Sequence, residues 1–199
     1  MFETLGFETL TAPQAAIYFG LVLGLAFGAL AEVTRFCLRR GLVGPTQERR
    51  PALAVWLTAL AVAILGTQGA VAAGWISFAE HRFLSPDLPW AAIALGGLLF
   101  GAGMVLTRGC ASRLTVLAGS GNLRAALVLV VFALTAHATL KGVLAPLRQA
   151  LGALTLPLGE AAALPAAWAV ALALALLGWA VLSGARRGHL AGAAALGLL

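Results

Sequence analysis

Between Pro13 and Val33 the chain carries one charged residue, Glu32, and four more apolar runs follow: Ala52–Phe78, Trp90–Thr107, Leu123–Leu144 and Ala166–Ser183. Each is near the ~20 residues that a helix needs to cross a bilayer. In hydrocarbon every backbone N–H and C=O must bond within its own segment, so runs of this length form helices. Hydrophobic residues make up 61% of the sequence and charged residues 10%, against roughly 25% charged in a soluble domain. A chain of 199 residues cannot hide that much apolar surface from water, so its solvent is lipid. The expected fold is all-α and polytopic, with about five transmembrane helices and short re-entrant or interfacial helices between them.

Three pieces do not fit a span. Leu114–Ala118 is too short, and Gln149–Leu164 is broken by Gly152, Pro157, Gly159 and Pro165 and reads as irregular or interfacial. Leu190–Leu199 covers about half a bilayer as a helix and reads as the start of a sixth span. Met1–Gln14 carries Glu3 and Glu8 and no basic cluster, unlike a secretory signal peptide. Glu80–Pro89 is a polar connection in which Pro86 and Pro89 break any helix, and Asn122 is placed to cap the helix that follows it.

The chain also repeats itself. Gly24–Cys37 and Gly97–Cys110 lie 73 positions apart and agree at eight of fourteen positions. Each ends in a Thr-Arg-x-Cys corner, Thr34-Arg35-Phe36-Cys37 and Thr107-Arg108-Gly109-Cys110, so the only two cysteines hold equivalent places. Gly20, Gly24 and Gly28 recur every four residues, as do Gly97 and Gly101. They line one helix face, where a neighbouring backbone can approach closely. One transmembrane domain is expected over residues 1–199, with repeat units at approximately 15–78 and 88–145. Residues 163–199 add a further span and the start of another half outside this chain.

Charge sets the orientation. The connections after the first, third and fifth runs hold ten arginines, and the opposite side holds Arg82, Lys141 and Arg148. By the positive-inside rule the arginine-rich side is cytoplasmic and the N-terminus is outside. Each unit contains two spans, so the copies point the same way, a parallel repeat of a kind found in transporters. The net charge of +6 is accounted for by arginines at span ends, and no nucleic-acid partner is expected.

Cys37 and Cys110 are the first candidates for chemistry. A thiol is a weak donor and a polarizable acceptor, suited to holding a sulphur-bearing anion loosely along a path. Cysteine is also a small, commonly buried apolar residue, and recurrence at equivalent places sets the path reading beside that one. Arg35 and Arg108 precede the cysteines and either mark topology or draw an anion towards them. Glu32 is expected to pair with Arg35 or Arg39 at helical spacing. Gly119-Ser120-Gly121-Asn122 reads as a turn, or as an anion cradle ahead of a helix. His137 and Lys141 have no assigned role.

Other chemistry is missing from the pattern. There is no H-E-x-x-H, Walker sequence or G-x-S-x-G, so the chain does not read as an enzyme. Two cysteines without C-x-x-C make neither a disulfide framework nor a zinc site. No metal or cofactor is expected.

Phe27-Gly28 through Arg35-Phe36-Cys37, Phe100-Gly101-Ala102-Gly103-Met104 through Gly109-Cys110, and Ala118–Leu123 together resemble the YeeE/YedE family of bacterial inner-membrane proteins, over about residues 15–145. The resemblance implies transport of sulphur compounds, thiosulfate above all, through an hourglass-like helical protein whose cysteines pass the anion along a central path. It assigns Cys110, with Gly109, to the substrate-contacting corner and Cys37 to its counterpart. Two departures stand out. The family's second corner usually reads glycine-glycine-cysteine-glycine, where this chain has Arg108 and Ala111 around Gly109-Cys110. Larger members carry a second half, so this chain is expected to be a fragment, or a short member that forms a homodimer or joins a second short subunit. The resemblance also implies a small cytoplasmic sulphur-carrier protein as partner. The leading expectation is an inner-membrane permease, or permease half, for thiosulfate or a related sulphur anion, with Cys110, Cys37, Gly109, Arg108 and Arg35 along the path. The alternatives are a membrane thiol-redox protein and a non-transporting scaffold that docks a sulphur carrier.

Overall fold

A computed structural model of the chain describes residues 12–78, 87–157 and 166–199. Among them are nine helices: α1 (Ala12–Val33), α2 (Leu38–Val43), α3 (Thr46–Ala72), α4 (Trp90–Leu106), α5 (Ala111–Gly119), α6 (Leu123–Leu140), α7 (Ala145–Gly152), α8 (Ala166–Leu182) and α9 (Arg187–Leu198). Two short strands, β1 (Asp87–Leu88) and β2 (Leu156–Pro157), pair antiparallel, with Asp87 opposite Pro157 and Leu88 opposite Leu156. The chain is an all-α, multi-pass membrane protein. Pro13–Val43, Thr46–Ala72, Trp90–Gly119 and Leu123–Leu140 are long and apolar enough to cross a bilayer, and α8 is a shorter apolar helix. The segment with Glu3 and Glu8, the connection with Glu80, Arg82 and Pro86, and the stretch from Gly159 to Pro165 lie outside the described residues.

Helix ends differ from the sequence expectation where backbone chemistry overrides hydropathy. Arg49 and Arg50, expected in a basic loop, lie in α3, which starts six residues earlier than its apolar run. Pro45 supplies the carbonyl that receives the N–H groups of Glu48 and Arg49, and Glu48 sits in the first turn, where a carboxylate favours the helix dipole. The same helix stops at Ala72, short of Phe78, because Gly74 takes a left-handed φ of 73°. Trp75 N–H then bonds Ala70 O and Gly74 N–H bonds Val71 O, the Schellman arrangement that satisfies the last carbonyls. At the end of α6, Gly142 lies so close to Ala138 that a Cβ would stand 2.8 Å from its Cα, and the helix ends at Leu140. The stretch expected to be irregular from Gln149 begins inside α7, whose second residue is Pro146, a position where the missing N–H is harmless.

The interior is built on α3. It packs against α2, α8 and α9, and α9 packs also on α1. Small residues make the seams: Ala54 and Ala61 of α3, Ala173 and Ala180 of α8 and Ala193 of α9 are fully buried. Val55, Ala59, Ala193 and Leu196 form a cluster against which Phe27, Leu30 and Phe36 pack. Gly197 permits a close approach of α9 to α3, since a Cβ there would collide with Ala59 O, and at Gly192 it would stand 2.6 Å from Thr34 Cγ2. Leu190–Leu199 therefore lies mostly in a half-length helix docked in the core.

Among the described residues, no close contact is made at the glycine ridges expected to pack helices. A Cβ at Gly20, Gly24, Gly28, Gly97 or Gly101 would meet nothing within 4 Å. Among the described residues, close packing is carried by alanines of α3, α8 and α9 instead. The chain exposes 13910 Å², where a compact chain of this size exposes roughly 8,800 Å². Apolar helix faces are left for lipid or another protein to cover.

Candidate functional site

The site begins with how α1 and α4 end. Thr34 and Thr107 are the last half-helical residues, and Arg35 (φ 51°) and Arg108 (φ 58°) follow in the left-handed region. Arg35 N–H bonds Glu32 O at 3.1 Å and Arg108 N–H bonds Val105 O at 3.3 Å. Each threonine hydroxyl donates back one turn, Thr34 to Leu30 O at 2.7 Å and Thr107 to Gly103 O at 2.8 Å. These are the helix-ending turns that glycine usually closes, as Gly74 does in α3. An L-residue in the left-handed region costs about 1–2 kcal/mol relative to the right-handed one. The strain is met twice, at matching positions.

The reversal places each cysteine in extended backbone at the mouth of a short helix. Cys37 caps α2 and Cys110 caps α5. Both are free and buried, and Cys110 Sγ donates to Cys37 Sγ across 3.7 Å. Residues 73 positions apart in sequence thus meet. Backbone N–H groups of Arg113, Leu38 and Arg39 face the Cys110 sulphur, and those of Arg40 and Cys110 face the Cys37 sulphur. Met104 is buried in the same cluster and Leu38 packs against it. Such a cradle offers donors and polarizable sulphur to an anion.

The other predicted residues take distinct places. Gly109 is buried, and a Cβ there would press on the Leu114 side chain at 3.2–3.3 Å. Arg35 and Arg108 are exposed beside the corners. Arg39 is half-buried, and its Nε is buried without a hydrogen-bond partner. Glu32 does not pair with Arg35 or Arg39. Helical spacing ends with α1 at Val33, and Glu32 Oε2 accepts from Arg113 Nη1 at 2.7 Å, joining α1 to α5. Arg40 pairs with Glu48 at 2.8 Å. The Gly119–Asn122 segment is a turn with Gly121 at φ 89°, and Asn122 Oδ1 accepts from Ala125 N–H at 3.0 Å as the cap of α6. His137 and Lys141 are exposed near the end of α6.

Two grooves flank α5. One, of about 270 Å³, lies between α4, α5 and α6 and is lined by Met104, Thr107, Gly109, Ala111, Leu114, Phe132 and their neighbours. The other, of about 410 Å³, lies between α1 and α5 and includes Gly24 and Gly28. Sequence reasoning missed Arg39 and Met104. Ser112 and Ala31 stand at their equivalent positions, so the repeat carried no signal for either.

Residues 33–197 match the protein family described as "Sulphur transport". The chain is also similar to the thiosulfate transporter TsuA of Escherichia coli (strain K12), at 32% identity over 104 residues. That match covers 51% of this chain and 28% of the relative. No solved structure matches the chain.

Proposed function

The chain belongs to the sulphur-transport family, and on that premise we propose that it is an inner-membrane permease, or one half of a permease, for thiosulfate or a related small sulphur-containing anion. The observation that carries this reading is the meeting of Cys37 and Cys110 at 3.7 Å, at the N-terminal ends of α2 and α5. The name of the similar protein, a thiosulfate transporter, supports the choice of anion.

The anion is drawn by Arg35 and Arg108 and rests against the paired thiols. Weak S–H donation to its terminal sulphur lets it leave again. The left-handed strain at both arginines supports their role, because strain of this kind persists where function holds it. The chain spans a bacterial inner membrane with its N-terminus in the periplasm, as its arginine distribution supports. The exposed glycine ridges and the surplus of exposed surface support completion by a second copy or a second short family subunit, and a small cytoplasmic sulphur carrier takes the delivered sulphur.

The test is growth on thiosulfate of a bacterium lacking other sulphate and thiosulfate importers. Wild type, Cys37→Ala and Cys110→Ala are compared at matched membrane expression. Growth with wild type and none with Cys110→Ala is the expected result. Normal growth with Cys110→Ala sinks the proposal.

The sulphur–sulphur distance also favours a second reading, a thiol-redox protein. A disulfide needs ~2.05 Å, so a modest closure joins the pair. This reading expects an oxidant-dependent gel shift, and it is abandoned if both thiols stay alkylatable after oxidation.

A further inference from the structure

Cys37, Cys110 and Met104 bury three sulphur-bearing side chains in one cluster. We propose that this cluster is a binding site for a soft monovalent cation of the Cu(I) or Ag(I) class. The inference goes beyond the transport reading and stands on the cluster's geometry alone. If transport also holds, a bound cation occupies both thiols and stops it.

Thiolate and thioether are the ligands that select such cations. A metal–sulphur bond of about 2.3 Å, the zinc–thiolate length, makes a sulphur–sulphur edge of about 3.8 Å at a tetrahedral angle and about 4.0 Å at a trigonal one. The observed separation is 3.7 Å, so a cation of similar size enters with little movement of either cysteine, and the larger Ag(I) spreads the two thiols further. Each thiol gives up its proton, and two Cys–SH with M⁺ become a bis-thiolate complex of charge −1 and two released protons. Met104 adds a neutral third donor and no electrons change hands.

Donors near the sulphurs can bond that negative charge. Arg39, two residues beyond Cys37, has a buried Nε without a hydrogen-bond partner. The N–H groups of Leu38, Arg39 and Arg113 face one sulphur and that of Arg40 the other. Donors of this kind strengthen when the acceptor is ionised, and outer partners tune metal affinity. The groove of about 270 Å³ is lined by Met104 of the cluster and by Gly109 and Ala111, the chain neighbours of Cys110. Zinc is disfavoured, because a structural zinc site wants four ligands and no group of three His, Cys, Asp or Glu is assembled among the described residues.

The experiment titrates the purified, reduced full chain in detergent with Ag⁺ without oxygen. It follows thiolate-to-silver absorption, proton release and alkylation of both cysteines by a maleimide. One silver ion per chain, two protons released, both thiols protected and no displacement by excess Zn²⁺ are expected. Met104→Leu, near in volume and so expected to keep the fold, weakens binding by about tenfold, and Arg39→Gln does so by a similar factor through the charge it removes. Circular dichroism and elution volume establish that each variant is folded. Equal silver uptake by the Cys37→Ser/Cys110→Ser double variant overturns the site, as does an unchanged alkylation rate in saturating silver. Wild-type affinity in Met104→Leu overturns the three-sulphur arrangement.

Discussion

The corner at Cys37 and the corner at Cys110 share a backbone and differ in what fills the space beside it. Both have a left-handed arginine, a threonine bonded one turn back and a cysteine opening a short helix. In the first, Phe36 packs on the α3–α9 cluster and Thr34 is 1% exposed against Gly192. In the second, Gly109 stands where Phe36 does, and Thr107 lines an open groove. The first corner is anchored in the core, whereas a groove opens beside the second at Thr107 and Gly109, and both cysteines are buried. A duplicated motif therefore sits in asymmetric surroundings.

Exchanging the two distinguishing residues gives the largest effect. Phe36→Gly removes a core contact and should lower stability by about 3 kcal/mol. Gly109→Phe crowds Leu114 and should cost about 2 kcal/mol. Thermal unfolding in detergent measures both, and near-zero values would mean that the corners are interchangeable.

A glycine pair sharpens the contrast between core and surface. Gly192→Ala drives a methyl into Thr34 and should lose about 1–3 kcal/mol in the same assay. Gly28→Ala meets open space in the single chain and should gain up to about 1 kcal/mol from helix propensity. A loss at Gly28 instead would reveal a partner on that ridge.

Smaller again is the release of backbone strain. Arg35→Gly and Arg108→Gly should each raise stability by about 1 kcal/mol while slowing anion uptake, which separates the turn from the role of its side chain. A stability gain without slower uptake leaves the arginines structural. The smallest effect is expected at the ion pairs. Glu32→Gln and Glu48→Gln should each change stability by less than about 1 kcal/mol, since both carboxylates are more than half exposed.

Much of the fold was legible in the residues. Five apolar runs became α1, α3, α4, α6 and α8 because lipid leaves a long apolar segment no alternative to a helix. Asn122 announced its cap, and the repeated Thr-Arg-x-Cys announced that the two corners are built alike. Helix ends at Thr46 and Ala72 were less legible, since Pro45 and Gly74 act through local hydrogen bonds that hydropathy does not register.

What the sequence determined by itself was local: which segments are helices, where the chain must turn, and that the two thiols hold matching positions. Only the tertiary structure decided that those thiols meet, that Glu32 reaches Arg113 and that Arg39 keeps a buried donor unpaired. It also decided that alanines rather than glycine ridges close the core. The reason is physical. Helix formation in lipid is settled by bonds within a few residues of each other, whereas a contact across 73 positions depends on which faces the whole set of helices can bury together.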